Sequence, residues 1–157
     1  MARETPATRA LTAAGTAFAL HAYDYDPDAD SAGLQAAEAL GELPARVLKT
    51  LMAEVDGRPV CAVVPSDRTV SMKRLAAAAG GKAAKMMAPT AAERLTGYKV
   101  GGISPFGQRR AVPTFVEAGV QSQPYVFVNG GQRGLQIRLD AAALIAALGA
   151  TAADIAA

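Results

Sequence analysis

The residues best suited to chemistry in this chain lie in a glycine-rich run between positions 97 and 107, which holds four glycines and a proline. Gly101 and Gly102 carry no Cβ and can adopt positive φ, while Pro105 restricts its own φ and pushes Ser104 into an extended conformation. A backbone of this shape can present free N–H groups to a phosphate or to a developing oxyanion. A simple turn between two strands is the alternative interpretation.

A second candidate is Lys49, which the alternation of apolar residues places on an apolar strand face. The residues that share this predicted face are Val47, Leu51, Ala53 and Val55. A charged side chain in such a position is costly unless it lines a pocket or its ammonium group reaches solvent. Both alternatives stay open from the pattern alone.

The chain offers few groups for metal binding or nucleophilic catalysis. It contains one cysteine, Cys61, and one histidine, His21. This inventory excludes an intrachain disulfide, a cysteine-rich zinc site and a multi-histidine metal centre, and it supplies no convincing catalytic triad. We therefore expect neither a metal nor a cofactor. Cys61 is most simply a buried small residue.

The length of 157 residues and the apolar fraction of 51% predict one domain over residues 1–157 with a substantial core. No apolar run approaches transmembrane length and the N-terminal residues lack the apolar core of a signal peptide, so we expect a cytoplasmic protein without a membrane partner. The formal net charge of +2 is compatible with a polyanionic partner. Several cations lie in or beside glycine-rich segments, which favours an anion near these loops: Lys99, Arg109, Arg110, Arg133 and Arg138.

Capping residues and glycine stops predict the helices that must position these groups. The predicted helices run from Thr5 to Gly15, Ser31 to Gly41, Ser71 to Gly80, Thr90 to Leu95 and Asp140 to Gly149. Thr90 and Glu93 have the spacing of a capping box at the start of the fourth helix. The pair Gly81-Lys82 is not a P-loop, because Ala83 stands where that motif requires Ser or Thr.

Alternating and β-branched segments predict strands joined partly by hairpins. The predicted strands cover residues 16–25, 47–55, 60–64, 112–116, 125–128 and 135–139. Asp56-Gly57 predicts a hairpin between the second and third strands, and residues 129–134 predict a turn between the last two. Helices at both ends and between the strands, without a regular βαβ repeat, indicate an α+β or mixed α/β fold.

Three segments in this order resemble the YbaK/EbsC family of aminoacyl-tRNA deacylases. They are Val-Leu-Lys-Thr-Leu at 47–51, the glycine-rich run at 97–107 and Gly-Gly-Gln-Arg-Gly-Leu at 130–135. The similarity extends over nearly the whole chain, and it includes the segments 21–23, 43–44 and 154–156. Any one of these segments is a weak signal, whereas the ordered set at these spacings is specific.

The resemblance implies a fold and a reaction. The family is related to the editing domain inserted in bacterial prolyl-tRNA synthetase, and its fold is a curved, mostly antiparallel mixed sheet or barrel surrounded by helices. Its members hydrolyse the ester between a wrong amino acid and tRNA, notably cysteine, or alanine in sister branches, on the proline tRNA. In the YbaK branch, which this chain resembles, the thiol of the substrate cysteine attacks its own ester carbonyl and leaves as a cyclic thioester.

The resemblance also implies catalytic and substrate-binding residues. Lys49 matches a pocket lysine that anchors the phosphate of the terminal adenosine or orients the aminoacyl group. Gly101 and Gly102 match the first glycines of a Gly-x-x-x-Pro motif, whose backbone N–H groups would hold the ester carbonyl as negative charge develops. The substrate-binding residues of this motif are Ile103, Ser104 and Pro105. Tyr23 matches a pocket tyrosine, with a buried core ring as the alternative.

The second glycine segment would form the opposite wall of the pocket through Gly130, Gly131 and Arg133, with the arginine offered to an RNA phosphate or to a carboxylate of the protein. Gln136 departs from the family pattern, which has an acidic residue just after the Gly-Leu pair. A glutamine can hydrogen-bond to a substrate but cannot hold an ammonium group by charge, so the amino-acid selectivity is less defined than the reaction class. Ser104 has no adjacent base and is not expected to be a nucleophile.

The expected function is trans-editing of Cys-tRNA(Pro) by a substrate-assisted mechanism. Its expected partners are the acceptor end of the mischarged tRNA and prolyl-tRNA synthetase. Three alternatives stay open: a deacylase for another amino acid such as alanine, a non-catalytic module that binds charged tRNA or a synthetase, and an interaction domain whose glycine segments are only turns.

Overall fold

The computed structural model describes residues 4–29 and 31–157, which contain five α-helices and eight β-strands. The helices are α1 (Pro6–Ala13), α2 (Ala32–Leu40), α3 (Met72–Ala78), α4 (Pro89–Thr96) and α5 (Ala141–Leu148). The strands are β1 (Ala19–Ala22), β2 (Leu48–Val55), β3 (Arg58–Pro65), β4 (Ala84–Met86), β5 (Thr114–Glu117), β6 (Tyr125–Asn129), β7 (Leu135–Asp140) and β8 (Thr151–Ala153).

Local capping signals account for the helix ends. At α1, Thr8 N–H donates to Thr5 Oγ1 at 3.2 Å and Thr5 N–H donates to Thr8 Oγ1 at 2.8 Å, so both side chains satisfy backbone donors. At α2, Ser31 Oγ accepts the Leu34 N–H at 3.2 Å, and the helix ends at Gly41 with a left-handed φ of 67°. These two predicted helices are confirmed.

The predicted capping box of α4 is wrong. The helix begins at Pro89, one residue before Thr90, and its N-cap Ala88 makes no side-chain hydrogen bond. Proline is well suited to the first helical position because it has no N–H to satisfy. The Glu93 carboxylate instead accepts the Val100 N–H at 2.9 Å, and this bond ties the helix to the glycine-rich run that follows it.

The strands form two sheets. A three-stranded antiparallel sheet has the order β1-β7-β6, and a five-stranded mixed sheet has the order β4-β2-β3-β5-β8. In the second sheet β3 pairs with β2 antiparallel and with β5 parallel. The fold is therefore the predicted mixed α/β class with mostly antiparallel pairing, but the sheets described here do not close into a barrel.

The predicted hairpin at Asp56-Gly57 is confirmed. Both turn residues have positive φ, 50° and 80°, as a two-residue turn between twisted strands requires. The register of β2 and β3 runs from Val55 opposite Arg58 to Leu48 opposite Pro65.

The largest buried cluster joins both sheets with the helices at the ends of the chain, and its members include Leu11, Leu48, Val63, Val128, Ile137 and Leu144. Cys61 lies in this cluster and is fully buried. Burial raises the pKa of its thiol to about 12, so it is a core residue as predicted and not a thiolate at neutral pH. No helix among the described residues is long and apolar enough to cross a membrane.

Candidate functional site

A cavity of about 460 Å³ lies between the two sheets. Its walls come from β2, from the segment between β4 and α4, from the first turn of α2 and from the glycine-rich run after α4. Asn129 and Gln136, which face each other across β6 and β7, close it on the side of the three-stranded sheet. Of the predicted site residues, Lys49, Gly101, Ile103 and Gln136 line this cavity.

The pairing of β2 explains why the cavity forms here. β4 pairs only with residues Ala53 to Val55 of this strand. Within the described chain the half from Leu48 to Met52 has no strand partner on that side, and only the Met52 carbonyl accepts a bond there, from the Met87 N–H at 3.1 Å. All five residues from Leu48 to Met52 line the cavity, although alternate side chains of a strand point to opposite faces. The open strand edge, rather than one strand face, is therefore the floor of the cavity.

Among the described residues that line the cavity, Lys49 is the one with a charged side chain. Among the described residues it makes no ion pair within 4 Å. Burial lowers the pKa of its ammonium group, and the charge of nearby Asp67 opposes this shift only in part. An unpaired, partly desolvated cation gains most from an anionic ligand.

The first glycine loop presents two backbone N–H groups at the cavity. Neither Gly101 N–H nor Ile103 N–H makes a hydrogen bond within residues 4–29 and 31–157, and both residues line the cavity. The N–H of Gly102 is not available, because it donates to the Lys99 carbonyl at 2.8 Å and closes a turn. The pair that can receive an oxyanion is therefore Gly101 with Ile103, in place of the predicted Gly101 with Gly102.

Arg133 braces this loop. Its Nε and one terminal nitrogen both donate to the Val100 carbonyl, at 3.0 and 2.8 Å. The carbonyl and the N–H of a trans peptide point in opposite directions, so these bonds also orient the N–H of Gly101. Asn129 Nδ2 donates to the Gly101 carbonyl at 3.2 Å and fixes the next peptide in the same way.

Gly102 lies against the backbone of the second glycine loop. A Cβ at this position would lie 3.0 Å from Arg133 N and 3.2 Å from the carbonyl carbon of Gln132. Both atoms belong to the backbone and cannot move without shifting the second glycine loop. Gly102 is therefore the point where the two glycine loops touch.

Gly130 and Gly131 do not line the cavity. A Cβ on Gly130 would meet the Leu135 side chain at 2.9 Å, and one on Gly131 would meet the Tyr98 ring at 2.8 Å. The Gly130 carbonyl accepts the Thr5 hydroxyl at 2.6 Å. These glycines allow close packing behind the cavity wall.

Ser104 and Pro105 also lie outside the cavity wall. Ser104 is fully buried, and its hydroxyl oxygen accepts the Phe106 N–H at 3.2 Å. Pro105 lines a second, smaller cavity of about 200 Å³ beside α1 and α5. The structure thus gives Ser104 a local backbone role and places neither residue where a substrate in the main cavity would touch it.

Three buried polar atoms around the cavity have no hydrogen-bond partner in the described chain: Tyr23 Oη, Thr50 Oγ1 and Gln136 Oε1. Thr50 and Gln136 line the cavity directly. Tyr23 does not line the cavity, and its hydroxyl interacts with the Gln136 side chain, while burial raises its pKa. Buried polar atoms are rarely left unpaired, so the Thr50 hydroxyl on the cavity wall favours a polar ligand.

Residues 26–147 match the model of the aminoacyl-tRNA editing domain. The chain belongs to this family. The sequence-based assignment is thereby confirmed. The cavity residues Lys49, Gly101 and Gln136 lie within the matched span, whereas Tyr23 and the cavity residue Tyr25 precede it.

Two bacterial proteins are similar in sequence to this chain. EbsC of Enterococcus faecalis, named a putative Cys-tRNA(Pro)/Cys-tRNA(Cys) deacylase, is 36% identical over 110 residues, which cover 69% of this chain and 67% of that protein. YwhH of Bacillus subtilis, an uncharacterized protein, is 29% identical over 106 residues, which cover 67% of each chain.

Solved structures support the fold of the editing domain. The crystal structure of a putative trans-editing enzyme for prolyl-tRNA synthetase superposes with a TM-score of 0.85 at 22% identity, covering 99% of both chains. That of a hypothetical protein has a TM-score of 0.86 at 23% identity, covering 98% of this chain and 100% of the other. At these identities the likeness concerns the fold.

The residues of the editing-domain cavity that sequence reasoning missed include Tyr25, Thr50 and Asn129. The signal for Thr50 was present, since a polar residue follows Lys49 in the first half of a largely apolar strand. Asn129 was interpreted as a turn residue before the second glycine loop. Tyr25 could not be distinguished from Tyr23, because both lie on the same predicted strand face.

Proposed function

We propose that this editing-domain protein is an aminoacyl-tRNA deacylase that removes cysteine from mischarged proline tRNA in trans. The observation that carries the proposal is the convergence of Lys49 with the unbonded N–H groups of Gly101 and Ile103 on one cavity. A cation and an oxyanion-binding pair are the two elements that an RNA ester requires, since the substrate has a phosphate and its carbonyl becomes negative during the reaction.

The choice of cysteine rests on the relative EbsC, whose name assigns it Cys-tRNA(Pro) and Cys-tRNA(Cys). The apolar part of the cavity agrees with a small, weakly polar side chain, because Leu48, Met52 and Met87 are among the residues of its wall. Gln136 supplies a neutral polar group for the substrate in place of an acidic one.

The reaction that suits this cavity uses the chemistry of the substrate. The sulfur of the bound cysteine attacks its own ester carbonyl, and the carbon–oxygen bond to the ribose breaks. The thiol proton passes to the released ribose hydroxyl, and a four-membered cyclic thioester forms, which water then opens to free cysteine. Cys61, the one cysteine of the sequence, is fully buried and outside the cavity wall, so it is not the nucleophile of this step.

The groups of the protein then have separate roles. The N–H groups of Gly101 and Ile103 stabilise the carbonyl oxygen as negative charge develops on it, and Lys49 holds the terminal phosphate. The Thr50 hydroxyl and the Gln136 side chain form hydrogen bonds with the substrate. Such a substrate is made by the translation machinery, which agrees with the expected cytoplasmic location.

A deacylation panel tests the proposal. Proline tRNA charged with cysteine, alanine, 2-aminobutyrate or proline is incubated with the protein, with and without prolyl-tRNA synthetase, and loss of the ester is followed against buffer. We expect rapid loss of cysteine and little loss of 2-aminobutyrate, which has nearly the same size but no thiol. Equal loss of cysteine and 2-aminobutyrate would exclude the substrate-assisted step. If no charged tRNA lost its amino acid faster than in buffer, the protein would be a binding module and not a deacylase.

The same panel includes Lys49→Ala and, as a matched control, Lys73→Ala on the exposed surface of α3. A hydrogen bond to a charged group contributes about 1.5–3 kcal/mol, so we expect Lys49→Ala to lose roughly 10- to 100-fold in kcat/KM. Lys73→Ala should match the wild type. An unchanged rate for Lys49→Ala would show that the site lies elsewhere.

A further inference from the structure

The ring of Tyr25 forms part of the cavity wall, next to the first glycine loop. Its hydroxyl packs directly on Gly101, since a Cβ at that position would lie only 2.7 Å from Tyr25 Oη. The backbone of Gly134 packs near its Cβ. Tyr25 is therefore held between the two glycine loops, and it adjoins the N–H group proposed to receive the ester carbonyl.

Arg133 covers the Tyr25 ring. The guanidinium carbon lies 5.6 Å from the ring centroid, within the range of a cation–π contact. The guanidinium cannot turn away freely, because two of its nitrogens donate to the Val100 carbonyl. The ring is thus fixed in orientation before any ligand binds, while it still borders the cavity.

The mouth of the cavity beside this ring is apolar and exposed. Four large apolar side chains are strongly exposed among the described residues, and two of them, Met86 at 48% and Val100 at 44%, line this cavity. A flat aromatic ring flanked by exposed apolar groups is the composition of a platform on which a nucleobase stacks.

We propose that Tyr25, backed by Arg133, is the stacking platform for the terminal adenine of the tRNA. This inference rests on the proposed function and assigns one of its substrate contacts. The ester and the adenine are attached to the same ribose, so their two sites must adjoin, and Tyr25 lies against Gly101. Tyr25 precedes the span that matches the family model, so the family match does not assign it.

An uncharged RNA tests this contact independently of ester hydrolysis. The probe is an RNA minihelix that ends in CCA, with 2-aminopurine in place of the last adenine. A dye at its other end reports binding by fluorescence anisotropy. We expect the 2-aminopurine fluorescence to be quenched on binding to the wild type and to Tyr25→Phe, which keeps the ring. Tyr25→Leu should lose the quenching and bind about tenfold more weakly.

Tyr125→Leu is the matched control, because Tyr125 also lies under an arginine, Arg138 at 4.1 Å, but does not line the cavity. Its quenching should equal that of the wild type. Quenching that persists in saturated Tyr25→Leu would overturn the proposal, and so would failure of the wild type to bind the RNA. The deacylation panel reports on the proposed function by itself, so the two failures can be distinguished.

Kinetics separate stacking from a merely structural role. On chemically charged minihelices, Tyr25→Leu should raise KM about tenfold when the last nucleotide carries adenine and change it little when that nucleotide is abasic. A structural role for the ring would lower kcat equally on both substrates, and that result would overturn the proposal.

Discussion

At the scale of single residues, the protonation state of Lys49 decides what the cavity can bind. Its side chain is partly buried, and the described chain offers it no ion pair. Because desolvation disfavours the charged form, its pKa lies below the ordinary lysine value of 10.5. A bound phosphate would oppose that desolvation and restore the charge.

This residue predicts the pH dependence of the reaction. If charged Lys49 holds the phosphate, kcat/KM falls as the pH rises through its lowered pKa, and this fall begins earlier than for an exposed lysine. Lys49→Arg should move the fall to higher pH, because a guanidinium stays charged throughout the range. The measurement is the enzyme-dependent rate from pH 7 upward, corrected for ester loss in buffer. If kcat/KM fell over the same pH range in the wild type and in Lys49→Arg, this role of Lys49 would be contradicted.

At the scale of elements, the two glycine loops act as one unit. Arg133 and Asn129 of the second loop hold the Val100 and Gly101 carbonyls of the first, and Gly102 is the point of contact between the two backbones. Glu93 of α4 anchors the first loop from the other side. The Gly101 N–H is therefore oriented through its own peptide, whose Val100 carbonyl accepts both Arg133 bonds.

Gly102→Ala tests this unit, with Gly119→Ala as the matched control. Neither glycine has a positive φ, but a Cβ on Gly102 would press on backbone at 3.0 Å, whereas one on Gly119 would meet only Glu117 Oε2 at 3.8 Å. We expect Gly102→Ala to lose at least tenfold in kcat, because the N–H pair is displaced, and Gly119→Ala to keep nearly full activity. Equal activity of the two variants, measured by deacylation after circular dichroism confirms folding, would refute the coupling of the loops.

At the scale of the whole molecule, Glu117 secures the C-terminal segment to the five-stranded sheet. Its carboxylate accepts the N–H groups of Ile155 at 2.9 Å, Ala156 at 2.8 Å and Gly119 at 3.1 Å. Burial alone would raise the pKa of Glu117, but these hydrogen bonds outweigh it and hold the pKa below the ordinary value of 4.5. These hydrogen bonds lie apart from the cavity, because none of the residues that make them lines the cavity wall. We call Glu117 with its three backbone donors the clamp.

Glu117→Gln should lower the free energy of unfolding by about 2 kcal/mol at neutral pH, since bonds to a charged group are exchanged for weaker ones and one oxygen acceptor is lost. A carboxyl group with a lowered pKa in the folded state stabilises above its unfolded pKa, and this stabilisation is lost as the pH falls through the folded value. The difference between wild type and variant should therefore shrink below about pH 4. Urea titrations at several pH values measure it, with exposed Glu38→Gln as the control. A difference that stays constant with pH would contradict the charged clamp.

Local signals made much of this fold predictable. Thr5 and Ser31 start helices through bonds three residues away, Gly41 ends one, and Asp56-Gly57 sets a hairpin, so the relevant partners are close in sequence. The three-residue strands β4 and β8 were not predicted, because so short a segment has no measurable alternation and becomes a strand only by pairing with β2 or β5.

The sequence by itself determined the family, and it predicted as site residues Lys49, Gly101, Ile103 and Gln136, which the fold brings to one cavity. These follow from residue types at fixed spacing. Only the tertiary structure decided which backbone N–H groups are free and that Ser104 and Pro105 do not line the cavity. It also decided that Arg133 donates to the Val100 carbonyl while lying over the Tyr25 ring. The physical reason is that a hydrogen-bond donor is available or used according to what the folded chain places beside it, and those neighbours are distant in sequence.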